Sequence, residues 1–515
     1  MKFNSNSLLT AFFYSTAALC SALASSINTA YCAEPAASAS VKQPFKIKPL
    51  SGSLDMAPLF NSNSPEIVLN PGILLSTMSP TDSRHSKANM DFTDAHLNYK
   101  FKGDFGVFLH HISKQDEPLQ TDQRVLKLSL VAHNPGHKAI KLKTLARATF
   151  LSQPDAPFVA LPPLVSVMDA INITPDSAVV GPVSPYAGPG DRVTWEFLSE
   201  KARQENAPEL TIEPGQYQLI EEIPVPVKHL RPALNGRSYL GHFHSSGAVE
   251  LALLSHFDPG GTAVSDPSSA SVRGSVSPDP SPSVSPIPSP SPSPSPSPSP
   301  IDYGQLLKQS DIVHPRESDK NFPSHPGRKG PLIYGRVAGV SKGLTFNARI
   351  SEKVVAHKAL NLAYPVSSLE RGTFGTGKIQ AAPMIRRYRG SAYRAQGNYG
   401  IGYKIKIRLS NSDRVVRLIK ISLACPVKED TKRQNALTFL KPPANNVFFR
   451  GTVMIRERPI GAREFFHLVM HKGEKMPVLK VVSLEPYQSK DLEFEMYYPP
   501  DATPPQMLLL QSELP

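Results

Sequence analysis

Cysteine is almost absent from this sequence: Cys20, Cys32 and Cys425 are the only three in 515 residues. That excludes a disulfide framework of the kind that staples small secreted domains, so the fold must rest on buried apolar area. Tryptophan occurs once. Beyond the first two dozen residues there is no apolar run of the ~20 residues that a membrane-spanning helix needs. Charged residues are modest at 19%, against 40% hydrophobic, a balance that excludes a chain disordered throughout.

Proline, in contrast, is abundant. The 52 prolines are about twice the ordinary ~5%. The net charge of +13 is also unevenly placed. Residues 34–258 carry 20 Lys and Arg against 23 Asp and Glu, whereas residues 301–515 carry 34 against 18. The basic surplus belongs to the second half, which should attract anionic polymers or surfaces.

Lys2 precedes a largely apolar run from Leu8 to Ala24, and Ala22-Leu23-Ala24, Ala30 and Ala33 offer small-residue cleavage positions. Residues 1–33 therefore read as a secretory signal peptide. An uncleaved anchor is the alternative, since the run sits at the short edge of spanning length. Cleavage at Ala33 would leave Cys425 as the last cysteine, core-like in I-S-L-A-C-P-V.

From Ser277 to Pro300 the chain is dominated by Ser-Pro repeats. Proline removes donors and fixes φ, so this stretch builds neither helix nor sheet and is expected to be a polyproline-II spacer. The expected organisation is an N-terminal β-domain over 34–258, a disordered Pro/Ser-rich linker over 259–330 and a basic β-domain over 331–515. Short alternating runs between Gly, Pro, Asn and Asp support the mainly β, sandwich-like class. Examples are V125-LKLSLVA-H133, A139-IKLKTL-A146, Y403-KIKIRLS-N411 and V415-VRLIKISL-A424. The best helix candidate is Asp191 to Asn206, with Asp191 as cap.

The two halves echo each other. A strand ends at Asn134, a Pro-Gly turn follows, and a new strand centres on Leu142. Likewise a strand ends at Asn411, a Ser-Asp turn follows, and a new strand centres on Ile419. E213-P-G-Q216 matches E485-P-Y-Q488, and G103-DFG-V107 matches G397-NYG-I401. Asn and Pro-Gly suit such turns. The pattern reads as two related sandwich-like domains, with chance likeness between β-rich sequences as the alternative.

Two short patterns resemble catalytic motifs and fail on context. Gly372 to Lys378, G-T-F-G-T-G-K, fits a phosphate-cradling loop until Ile379, where Ser or Thr is needed for Mg²⁺. Pro365 breaks the preceding run, which is expected not to be a buried strand, and Pro383 forestalls a helix after it. No nucleotide partner is expected. Ser341 in G339-VSKG-G343 matches a nucleophile elbow, but a strand-like run follows, so Ser341 is expected at a hairpin turn. His242 and His244 share a strand face at a spacing metals use, and His110, His111, His133 and His137 are further candidates. No third ligand is apparent, and no metal or other cofactor is expected.

The stretch M384-IRRYRGSAYRAQGNY-Y399 carries the main binding expectation. Arg386, Arg387, Arg389 and Arg394 offer bidentate donors to phosphate, sulfate or carboxylate, and Tyr388, Tyr393 and Tyr399 offer flat faces for sugars. An ordinary charged β-edge is the plainer explanation.

Longer stretches resemble one family. G335-RVAGVSKG-G343, R371-GTFGTGKIQAAPM-M384, V447-FFRGTV-V453 and Y498-PPDATPPQ-Q506, with F60-NSNSPE-E66, F150-LSQPDAPF-F158 and Y186-AGPGDRV-V193 in the first half, are similar to a cyanobacterial family of exported proteins known only as a domain of unknown function. The likeness spans about 48–258 and 331–515. It implies export and supplies no catalytic residue, cofactor or substrate. The expected function is a non-enzymatic cell-envelope protein, periplasmic, surface-bound or secreted, whose basic half binds an anionic polysaccharide or another envelope component. A carbohydrate-active or wall-processing enzyme is the alternative.

Overall fold

The computed structural model describes residues 38–80, 95–115, 125–153, 155, 164–167, 178–179, 188–258, 301–313, 322–428, 435–459 and 461–513. The signal segment 1–33 and the Ser-Pro stretch 277–300 lie outside the described residues. Within them the fold is mainly β, with 28 strands and two short helices.

The alternating runs become strands where the sequence places them, at Val125–His133, Ile140–Leu151, Gly402–Asn411 and Arg417–Cys425. In the C-terminal half, Gly402–Asn411 lies in an eight-stranded sheet and Arg417–Cys425 in a six-stranded one. Ile405, Ile407 and Leu409 face Ile419, Ile421, Leu423 and Leu508 in one dry core. Alternation with period two buries one face of each strand and leaves the other exposed.

The N-terminal sandwich depends on one long strand, Leu234–Asp258. Its first part pairs with Phe101–Lys114 and Ile140–Leu151. Its last part pairs with Val125–His133 and Gly72–Ser76. The register breaks between Ser245 and Val249, so this strand passes from one sheet region into the next. Bulges of this kind bend a strand and let it turn a corner.

The repeat is real at atomic detail. Asn134 Nδ2 donates to the carbonyls of Lys138 and Ile212, and its Oδ1 accepts the Gly136 amide. Asn411 Nδ2 donates to the carbonyls of Val415, Leu484 and Glu485, and its Oδ1 accepts the Asp413 amide. The Glu213 amide donates to Gln216 Oε1 as the Glu485 amide donates to Gln488 Oε1, each at 2.9 Å. Strand pairing agrees as well. Leu210–Ile212 pairs with Ile140–Leu151 as Lys480–Leu484 pairs with Arg417–Cys425, and Tyr217–Val225 pairs with Val125–His133 as Ser489–Tyr497 pairs with Gly402–Asn411. The shorter glycine match differs: Gly103 lies inside the strand Phe101–Lys114, while Gly397 to Ile401 precedes Gly402–Asn411.

The halves exchange strands. Ala39–Pro44 pairs with Ala436–Lys441, Lys46–Ile47 with Leu360–Val366, and Gly52–Leu54 with Thr345–Val354. In return, Ala338–Lys342 pairs with Pro58–Ser62 and carries Ala382–Arg387 onto the N-terminal sheet. Ala338, Val340 and Tyr388 belong to the N-terminal core. The two sandwiches therefore interlock through these strands.

Four local expectations are corrected. The first helix, α1, spans Pro189–Leu198, so Asp191 lies inside its first turn and not at its cap. It stops early because Glu200 takes a φ of 67°. A second helix, α2, forms at Tyr303–Gln309, capped by Asp302, inside the stretch read as linker. Leu307 of α2 packs on Val131, Ala252 and Leu254. Leu360–Val366 is a buried strand despite Pro365, which sits past the end of its short partner Lys46–Ile47. Ser341 lies within the strand Ala338–Lys342, and the turn falls at Gly343, with φ 93°.

Candidate functional site

The expected Arg–Tyr site divides into framework and surface. Ala382–Arg387 lies against Ala338–Lys342, and the residues that follow it turn back so that Arg387, Tyr388, Ser391 and Ala392 are all buried. Arg387 is 1% exposed. Its Nη1 donates to the carbonyls of Tyr388, Arg389 and Ser391, and its guanidinium stacks 3.6 Å from the Tyr393 ring centre. Tyr388 is buried, donates to the Ala95 carbonyl and accepts the Ser76 amide. Tyr399 donates to the Ala502 carbonyl. Arg387, Tyr388 and Tyr399 thus hold loops together and are not open ligand contacts. Arg386, Tyr393 and Arg394 are half-buried, and Arg389 is exposed above Phe322. The seven residues do not converge on one surface.

The glycine loop before them is a run of turns between the strands Leu360–Val366 and Ala382–Arg387, with no helix behind it. Phe374 in its middle is 2% exposed. Ser368 Oγ and the Leu369 carbonyl close the loop on Lys378 and Gly372.

Most of these histidines serve the framework. His242 lies edge-on to Phe197, and burial pushes its imidazole down to about 4. His244 is exposed and bonds Asp104 at 2.6 Å. His111 is buried between Ser62 Oγ and the Pro65 carbonyl, and burial lowers it to about 4. His110 bonds Ser238, and His133 pairs with Glu250 at 2.9 Å. Among the described residues no three His, Cys, Asp or Glu side chains gather as a metal site.

Two acid clusters were invisible in sequence. A shallow cavity of about 330 Å³ is lined by Glu457, Arg458, Pro459, Ala462, Glu464 and Lys480. Both of its carboxylates are ion-paired, Glu457 with Lys490 and Glu464 with Lys480. The second cluster is enclosed. Asp191 of α1 accepts from Thr452 Oγ1 at 3.2 Å, and that hydroxyl bonds His467 Nδ1 at 2.7 Å. Burial, then the neighbouring Asp501, raise Asp191 to about 7. His467 is pushed down to about 3 by burial and then by Lys201. Asp191 is 3% and His467 3% exposed, so these groups join the halves rather than meet a substrate.

The open chemistry lies elsewhere, on the outer face of the eight-stranded sheet. Thr345–Val354 and Gly402–Asn411 run parallel and in register, with Arg349 beside Lys406 and Lys404 and Arg408 on either side. All four side chains point outward and are exposed. Alternate residues lie ~6.6 Å apart along a strand and neighbouring strands ~4.8 Å apart, so the charges form a compact grid. Arg408 bonds Asp491 at 3.2 Å on the next strand. Arg349, Lys404 and Lys406 have no ion pair among the described residues, but on the next strand, Ser489–Tyr497, Glu495 stands opposite Lys404 and Glu493 opposite Lys406, so a row of carboxylates borders the cations. In the N-terminal repeat the positions matching Lys404, Lys406 and Arg408 are Lys127, Ser129 and Val131, and there Ser129 and Val131 are buried, with α2 packed on Val131. The alternation in K404-IKIR-R408 was the available signal; its parallel neighbour was not legible.

These features define a mainly β protein of two interlocked, duplicated sandwiches, one of which exposes a row of cations beside a row of carboxylates. The chain belongs to the family described as "Protein of unknown function (DUF3370)", which matches residues 45–512 and so takes in both repeats. No curated protein matches the chain. Among solved structures it is similar to the "Structure of the Macrobrachium rosenbergii Nodavirus", with 9% identity over 95% of this chain and 94% of that one and a TM-score of 0.11, which carries no argument. No helix among the described residues is long and apolar enough to cross a membrane.

Proposed function

We propose that the protein is an exported, non-enzymatic envelope component whose C-terminal sandwich binds an anionic envelope glycan. The observation that carries this reading is the outward grid of Arg349, Lys404, Lys406 and Arg408 on two parallel strands. A repeating polyanion suits such a grid, because evenly spaced charges meet evenly spaced partners without deep burial. The signal-like N-terminus and the basic surplus of 301–515 support the same reading. The absence of an unpaired carboxylate from the Glu457–Lys480 cavity gives an enzymatic reading no support from that cavity.

The test uses the purified full chain, because 301–515 alone would lack the strands of 39–54. Binding to an acidic polysaccharide should weaken steeply with salt. Lys404→Ser with Lys406→Ser should lower the affinity roughly three- to tenfold with thermal stability unchanged. Equal binding to neutral and acidic polymers would overturn the proposal.

A further inference from the structure

The two repeats share their corner geometry and diverge at its surface. Aligned on Asn134 and Asn411 and on Ile212 and Leu484, the N-terminal copy carries Lys138, Ala139, Lys141, Glu209 and Gly215. The C-terminal copy carries Val415, Val416, Leu418, Val481 and Tyr487 at the same places, exposed by 43, 46, 51, 50 and 67%. The first copy shows that the fold does not need apolar groups there. Exposed apolar clusters oppose solubility unless a partner covers them.

Three loops form this end of the sandwich. Asn411 ties residues 412–416 to Leu484 and Glu485, and the Ser412 amide donates to the Val354 carbonyl. Buried Arg417 donates to the Lys358 carbonyl and pairs with Asp413. These bonds tie the tips together, with Val415, Val416 and Tyr487 exposed on them. Lys353, Lys358 and Arg414 stand exposed around them, in no ion pair among the described residues, and outnumber Glu485, the exposed carboxylate in the loop of Tyr487.

We propose that this end docks peripherally on an anionic phospholipid bilayer. Val415, Val416 and Tyr487 enter the boundary between headgroups and acyl chains, and Lys353, Lys358 and Arg414 face lipid phosphates. The charge decides the occupant: a second copy would bring like cations together, whereas an anionic surface complements them. Tyrosine, with an apolar ring and a polar tip, suits that boundary. Small apolar tips on a polar frame insert shallowly without spanning. This end adjoins the cationic grid of the proposed glycan site through Lys353, which shares a strand and a face with Arg349, whereas Val415, Val416 and Tyr487 lie outside the grid.

The test is sedimentation of the full chain with vesicles of phosphatidylcholine alone and of equal parts phosphatidylcholine and phosphatidylglycerol. The protein should sediment with the anionic vesicles only. Val415→Ser, Val416→Ser and Tyr487→Asn together should lower that partitioning by at least about tenfold, with polysaccharide binding and thermal stability unchanged. Asn is chosen because Tyr487 has a φ of 60°. Lys358→Ser with Arg414→Ser should weaken it further in low salt than in high salt. Equal sedimentation of parent and triple variant, no sedimentation with anionic vesicles, or a concentration-dependent dimer lost in the triple variant would each overturn the proposal. Weaker polysaccharide binding in Lys404→Ser with Lys406→Ser, with vesicle binding intact, separates the two sites.

Discussion

Asp191→Asn should stabilise the protein increasingly as pH rises from about 4 to about 7, hold that gain above neutral pH, and leave stability unchanged below about pH 4. Asp191 sits in the first turn of α1, 3% exposed, beside Asp501 from the other half. Its carboxyl is raised to about 7 from 3.8, first by burial and then by Asp501, against the opposing effects of Thr452, Arg450 and Arg192. A raised acid holds its proton in the folded state after the unfolded chain has released it. Between pH ~4 and ~7 the folded state binds more protons, so this group's contribution to stability falls as pH rises through that window. About three pH units at ~1.4 kcal/mol each give an upper bound of about 4 kcal/mol at pH 8. Asn keeps an acceptor for Thr452 Oγ1, and its amide can donate towards Asp501 Oδ2, which is buried without a partner. The assay is urea unfolding of parent and variant from pH ~4 to ~8.5. The parent also loses stability in acid, because His111, His242 and His467 stay neutral when buried while their unfolded counterparts protonate below 6.5. The difference between the two proteins isolates Asp191. A difference that is flat with pH, or a variant less stable at pH 8, would refute the reasoning.

Asn134→Ala and Asn411→Ala should each destabilise by about 2–3 kcal/mol, since each removes several buried hydrogen bonds of the same pattern; equilibrium unfolding would show whether the two losses match. Cys425, 1% exposed with its thiol pushed up to about 12 by burial, should resist thiol reagents in the native protein and react on unfolding. Native-state labelling at the rate of a free thiol would contradict that placement.

The strands were legible because burial on one face imposes period two, which is why V125-LKLSLVA-H133 and Y403-KIKIRLS-N411 read correctly. The duplication was legible for a related reason: Asn134 and Asn411 satisfy buried carbonyls that only a short amide at that corner reaches. Arg387 and Tyr388 misled because arginine and tyrosine look like ligand contacts in a linear reading. Three carbonyls and a tyrosine face around Arg387 become visible only when the chain folds back. α2 was masked by the proline-rich composition around it.

Composition and alternation alone settled the β class, the repeated corner and the basic second half, since these depend on neighbours within a few residues. Tertiary pairing decided the rest. It sent 39–54 into the second sandwich and 338–342 into the first. It also placed Arg349 beside Lys406 and gathered Val415, Val416 and Tyr487 at one end. Sheets join strands far apart in sequence through backbone hydrogen bonds that carry little side-chain signature, so which strands become neighbours, and which charges they align, is fixed only in the folded chain.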